Sequence, residues 1–116
     1  HETGNLVLKN DIDFKIRDLN VHELTTDLKE FNIYGGWALL PAKEHTYAIA
    51  QTSENAWIDL NGDKLADAQQ KFATVVVGTI GKGAFVVFSD DAIFQNNFLV
   101  GHNYSLGKNL VRWLAN

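Results

Sequence analysis

Two apolar runs dominate the pattern of hydrophobic and polar positions. Val75, Val76, Val77, Thr79 and Ile80 form the first, and Phe85, Val86, Val87 and Phe88 the second. Runs this continuous predict strands covered on both faces, as inside an α/β sheet, because a strand with one wet face alternates. Between them Gly81-Lys82-Gly83 has the backbone freedom for a three-residue reversal, so the pair reads as a hairpin. Ile12, Phe14 and Ile16 do alternate and predict a half-buried strand, with Leu6, Val7 and Leu8 as a short strand before it. Tyr47 to Gln51 predicts another, closed by Thr52-Ser53. The Gly35-Gly36 pair separates Phe31, Ile33 and Tyr34 from Trp37, Leu39, Leu40 and Pro41, which predicts two short strands rather than a helix. Asn20 to Leu28 reads as a turn or two of helix or a structured loop, and Ala66 to Lys71 as a helical turn. The C-terminal stretch has helical spacing. Leu106, Leu110, Trp113 and Leu114 make one stripe, Asn103 is the expected N-cap, and Lys108 and Arg112 lie on the other side.

No repeat, low-complexity segment or linker interrupts the pattern, so residues 1–116 read as one domain. The 46% of hydrophobic residues suffices for a core at this length. The formal charge of −4 and scattered Lys and Arg leave no basic footprint for nucleic acid or an anionic membrane. No apolar run approaches the roughly 18 residues of a membrane span, and no signal-peptide pattern opens the chain. A soluble domain is expected, with no direct membrane insertion. The compartment stays open, an extracytoplasmic one being compatible with a Cys-free domain. The absence of Cys removes disulfides, thiolate nucleophiles and zinc–thiolate sites. A chain beginning at His1 without Met is expected to be a fragment or a processed product.

The sharpest motif is Asp59-Leu-Asn61-Gly-Asp63-Lys-Leu65-Ala-Asp67. Oxygen donors from Asp59, Asn61, Asp63 and Asp67, with the Leu65 carbonyl, match what a hard cation such as Ca2+ takes from a short loop. Lys64 stands where such loops carry Gly, and no bidentate Glu follows. The same residues also fit a plain Asn-Gly-Asp turn. A second candidate is the crossover after the second apolar strand, where Asp90, Asp91, Asn97, His102 and Asn103 would line a strand-end cleft as ligand-binding residues. Asp90 or Asp91 with His102 would alternatively serve acid–base chemistry, or the acids would cap a short helix running through Phe94. Trp57, with Trp37, suits stacking against carbohydrate, or else core packing. His1 with a second histidine (His22, His45 or His102) has the makings of a copper brace. Gly81-Lys82-Gly83 lacks the spacing of a phosphate loop.

HELTTDLKEF, AQTSENAWIDLNGDKLAD, VVVGTIGKGAFVVFSDDAIFQNNF and the terminal N-x-x-L-x-x-N-L-x-x-W-L occur in that order. This series resembles the glutamine-amidotransferase-like domains of gliding-motility ABC-transporter auxiliary proteins and of an intraflagellar-transport subunit. It covers roughly His22 to Leu114, with Ser89-Asp90 where the family usually has Gly-Asp. The resemblance implies a three-layer flavodoxin-like α/β fold, incomplete at its N-terminus, with the last helix packed on the sheet. The missing N-terminal half, or another chain, would complete it. It also implies a Cys-His-Glu triad that a Cys-free chain cannot build. The expected function is therefore a non-catalytic ligand-binding or protein-interaction module of a larger protein, carbohydrate among the candidate ligands. The alternatives are a hydrolase or transferase using Asp90 or Asp91 with His102, and a scaffold, homo-oligomeric or mixed, that completes its sheet with a partner.

Overall fold

The computed structural model describes residues 1–4, 7–41 and 44–116. β1 (Asp13–Ile16) pairs antiparallel with β3 (Phe31–Tyr34), placing Phe14 opposite Ile33 and Ile16 opposite Phe31. Period-two alternation turns all four of these side chains into the core, where each is buried. The main sheet runs β2 (Asp18–Leu19), β4 (Thr46–Gln51), β7 (Ala73–Ile80), β8 (Gly83–Phe88), again antiparallel throughout. A short hairpin, β5 (Trp57–Ile58) with β6 (Ala68–Gln69), stands apart from both. The chain ends in α1 (Gly101–Ala115). One 3-10 turn, Glu23–Thr25, is held by a capping box: His22 Nδ1 accepts from Leu24 N at 3.1 Å, and Thr25 Oγ1 accepts from His22 N at 3.1 Å. It delivers Leu24, fully buried, to a core shared with Ile49, Val75, Val77, Ile93 and Leu106.

The chain is thus a mixed α/β domain with several antiparallel sheets and one C-terminal helix. The flavodoxin-like three-layer arrangement is not what the described residues form. That arrangement needs parallel strands with helices on both faces, and every pairing here is antiparallel, with α1 lying against β3 and the 3-10 turn. The two apolar runs also part company. β7 is buried without a break from Ala73 to Gly78, but Thr79 and Ile80, expected in the same covered run, are exposed where the strand runs out to the turn. β8 is an edge strand and no residue of it is fully buried. Gly78 is where β7 is tightest: a Cβ there would meet the Phe85 ring and lie 2.8 Å from the His45 carbonyl oxygen.

Local differences have local causes. The reversal between β7 and β8 has two residues, Gly81 and Lys82, because Gly83 already pairs with Ile80. Gly81 takes φ +57°, the positive value a type II′ turn requires at its first position. Ala68–Gln69, expected to be helical, pairs with Trp57–Ile58 as β6. After Gly36 no second strand forms among the described residues; Leu39 makes a single bridge to Ala73. Val7 likewise makes one bridge, to Phe14, and Leu6 lies outside the described residues. No helix starts at Asp90 or Asp91. The N-cap of the last helix is Val100, which leaves Asn103 inside the helix rather than at its cap.

Candidate functional site

The β5–β6 hairpin carries the acidic motif at its tip and Trp57 at its base. Asp67 N bonds to the Ile58 carbonyl at 2.8 Å and closes the tip onto the two-residue ladder. Inside it, Asp59 Oδ1 accepts from Gly62 N at 2.9 Å and Asp59 Oδ2 from Lys64 N at 2.8 Å. Asn61, Asp63 and Asp67 side chains accept from the backbone of Asp63, Leu65 and Leu60 respectively. Gly62 and Lys64 take φ of +77° and +63°, which curls the chain around its own carboxylates. One carboxylate oxygen from each of Asp59, Asp63 and Asp67 lies within 4.8 Å of the other two. Lys64 occupies the left-handed position without Gly, its ammonium making no ion pair with these acids among the described residues. Lost hydration pushes the Asp59 carboxyl up, but the N–H groups of Lys64, Gly62, Asn61 and Asp63 outweigh it and hold its pKa below the usual value.

At the other end of the hairpin lies a narrow cleft of about 50 Å³, partly open to solvent. Trp37 and Trp57 both line it, over a floor that includes Phe14, Ile33 and Phe72. Trp37 is 82% exposed, an unusual position for so large an apolar surface. Trp57 is half-buried and stacks on the His1 ring, 4.1 Å between centroids at 12°. The Thr52 and Thr74 hydroxyls in the lining donate to the Ser53 and Ala50 carbonyls, so the walls are chiefly apolar.

The crossover residues are put to structural use. Asp90 is 4% exposed; its Oδ2 accepts from Tyr34 N at 2.6 Å and its Oδ1 from Ala92 N at 2.8 Å. Asn103 is fully buried within α1, where its Oδ1 accepts from Asn32 N at 2.7 Å and its Nδ2 donates to the carbonyls of Asn32 and Ile93 at 3.0 and 3.3 Å. Asn32 and Tyr34 are alternate residues of β3, so their backbone groups face the same edge. Asp90 and Asn103 occupy the place a further strand would take. They are fasteners of β3, and neither lines an open cleft. Asp91, Asn97 and His102 are exposed, and no hydrogen bond joins them to one another or to Asp90 among the described residues. The histidines are dispersed as well: His1 Nδ1 sits 2.7 Å from Asp11 Oδ2, His22 caps the 3-10 turn, and His45 and His102 are exposed.

Two residues of consequence escape a reading by motif. Asn109 is buried in α1 and donates to the Leu24 and Thr26 carbonyls at 3.0 and 2.9 Å, tying the helix to the 3-10 turn. A polar residue three positions beyond Leu106, on the apolar stripe, is the signal that marks it. Glu2 is buried too, accepting from Ser53 Oγ at 2.7 Å and from the N–H groups of Thr3 and Gly4 at 3.0 Å each; the sequence carries no cue for it. No family model, curated protein or solved structure matches this chain.

Proposed function

We propose that this chain is a non-catalytic binding module in which a Ca2+-holding hairpin supports an aromatic surface for carbohydrate, the exposed Trp37 face beside the narrow cleft. The observation that carries this reading is the double use of one hairpin: it brings Asp59, Asp63 and Asp67 within 4.8 Å of one another and sets Trp57 in the cleft wall. An all-oxygen donor set of carboxylates, with the Asn61 side chain and the Leu65 carbonyl nearby in sequence, suits calcium rather than a softer metal. Three carboxylates this close repel one another, and a divalent cation turns that repulsion into attraction. A two-residue ladder is too short to be rigid alone, so the ion's part is to fix the tip and, through Ile58 and Trp57, the cleft. The exposed Trp37 indole offers a flat apolar face of the kind that stacks on a sugar ring. With few open polar groups in the walls, affinity for a short oligosaccharide falls near the weak end, about 1 mM.

A hydrolase or transferase reading has less to build on, because both Asp90 oxygens are engaged by backbone N–H groups. A flavodoxin-like three-layer assembly would need parallel strands and a second helical layer beyond those that the described residues form.

Calcium titration with thermal melting tests the first half of the reading. Calcium raises Tm in the parent protein and leaves Asp59→Ala and Asp63→Ala unmoved; an equal response in all three ends the calcium reading. A screen of soluble oligosaccharides by tryptophan fluorescence tests the second half. A saturable change that Trp37→Ala abolishes, with its melting curve unaltered, supports the cleft, and no change across the screen removes carbohydrate.

A further inference from the structure

Among the described residues the edges of the β1–β3 ribbon and of the main sheet are closed, with one exception. The outer side of β3 is capped at Asn32 and Tyr34 by Asn103 and Asp90. β2 is only two residues long and carries the Asp18–Lys71 ion pair, 2.6 Å. β1 is flanked by the bridge from Val7 to Phe14. Short, charged or covered edges of this kind prevent stray pairing. β8 has none of these protections: Gly83–Phe88 is six residues long, ends the main sheet, and contains no charge, proline or bulge.

We infer that β8 pairs antiparallel with β8 of a second copy of this chain, about a two-fold axis through Val86. Ser89 N bonds to the Thr74 carbonyl, toward β7. Alternation along the strand then turns the N–H and C=O groups of Ala84, Val86 and Phe88 outward. Only registers that set these outward residues opposite one another form a ladder, and centring on Val86 uses all three. Val86 meets its own copy, and Ala84 meets Phe88 at each end. On the solvent face Phe85 falls opposite Val87, which is 42% exposed, making two aromatic–β-branched pairs. The charges flanking the strand decide in favour of self-association. In this register Lys82 of each copy comes to Asp90-Asp91 of the other; Asp90 is buried, so exposed Asp91 supplies the opposing charge. One cation at the start of an uncharged strand and one carboxylate beyond its end are complementary only to the same strand reversed, which is the condition for an isologous contact. The surface is small, so the dimer dissociates on dilution.

Sedimentation velocity of the full chain across a concentration series is the test, with charge reversal at two exposed positions so that folding is left alone. Wild type dimerises in the range of about 10–100 μM. Lys82→Glu or Asp91→Lys alone weakens the dimer about tenfold, since both symmetry-related pairs become repulsive, and the double reversal restores it. Ala84→Pro removes an outward N–H without touching the ladder to β7, and yields a monomer with unchanged circular dichroism. A wild type that stays monomeric up to about 1 mM, or a double reversal no tighter than either single variant, overturns the inference. Dimers that survive Ala84→Pro overturn it as well, since they use another surface. None of these outcomes bears on calcium or sugar binding.

Discussion

Replacing Asn103 by Ala separates a fastening role from a ligand-binding one. The side chain is fully buried and serves three backbone groups at once: it accepts from Asn32 N and donates to the Asn32 and Ile93 carbonyls. Truncation leaves an N–H and two C=O groups without partners in a place closed to bulk water. Each such group costs about 1–3 kcal/mol when left unsatisfied, and partial relaxation puts the sum near 3–5 kcal/mol. A domain of 116 residues has a total stability of roughly 6–17 kcal/mol, so the loss is a large share of it. Urea unfolding reads this directly, as a lower midpoint at unchanged slope, and melting shows a drop of about 10–20 °C. His102→Ala, one residue earlier and exposed, serves as the control and moves neither quantity. Asn103→Asp keeps the bond from Asn32 N but turns an oxygen toward two carbonyls, so at neutral pH it is at least as damaging as Ala. It recovers in part on acidification, when the carboxyl gains a proton to donate. A loss below about 1 kcal/mol for Asn103→Ala refutes the fastening argument and returns the residue to the ligand candidates.

Two further predictions test the strand crowding and the charge balance. Gly78→Ala forces a Cβ against the Phe85 ring and the His45 carbonyl, and is expected to destabilise by about 2–4 kcal/mol in the same urea assay; neutrality means that β7 and β8 are not in this register. Glu30 lies 3.4 Å from Lys15 Nζ and 3.2 Å from Arg17 Nη2. Lost hydration pushes its pKa up, but these two cations outweigh it and hold the folded value below the usual one. A carboxylate lowered in this way adds stability above its unfolded pKa of about 4.3, and the gain disappears as the pH falls through the folded value. The urea midpoint therefore drops below about pH 4, and more shallowly in Glu30→Gln; parallel pH profiles contradict the assignment.

What the sequence disclosed, and what it withheld, follows from how far apart the cooperating residues lie. The acidic turn was legible because its donors are alternate residues of one nine-residue stretch, and Asp59 reaches the backbone of Lys64 without help from the rest of the fold. The hairpin that carries it was not, since β6 falls where a helical turn was expected. β7 was legible over residues 73–78, where burial on both faces leaves a near-continuous apolar run, but the same run carries on through Thr79 and Ile80, which are exposed. β8 has the same composition, yet its exposure depends on the absence of a further strand, which no residue within it records. Trp37 and Trp57 share a cleft only because the Gly35-Gly36 segment and the β5–β6 hairpin converge, and nothing local to either indole says so.

Asp90 and Asn103 illustrate the reverse case, in which a local pattern was present and misleading. An Asp or Asn ahead of a helix fits a cap, and the same residue in a polar crossover fits a ligand site, because all three roles ask for a short side chain that accepts from N–H groups. The choice lies with the orphaned groups that happen to face it. β3 has four residues and one strand partner, so Asn32 and Tyr34 would otherwise bury backbone groups unsatisfied. A buried strand edge is a stronger claimant on these side chains than a ligand free to stay in solution, and that claim lets a two-stranded ribbon end inside the domain. β8 carries no such claim, because its edge faces water until something pairs with it.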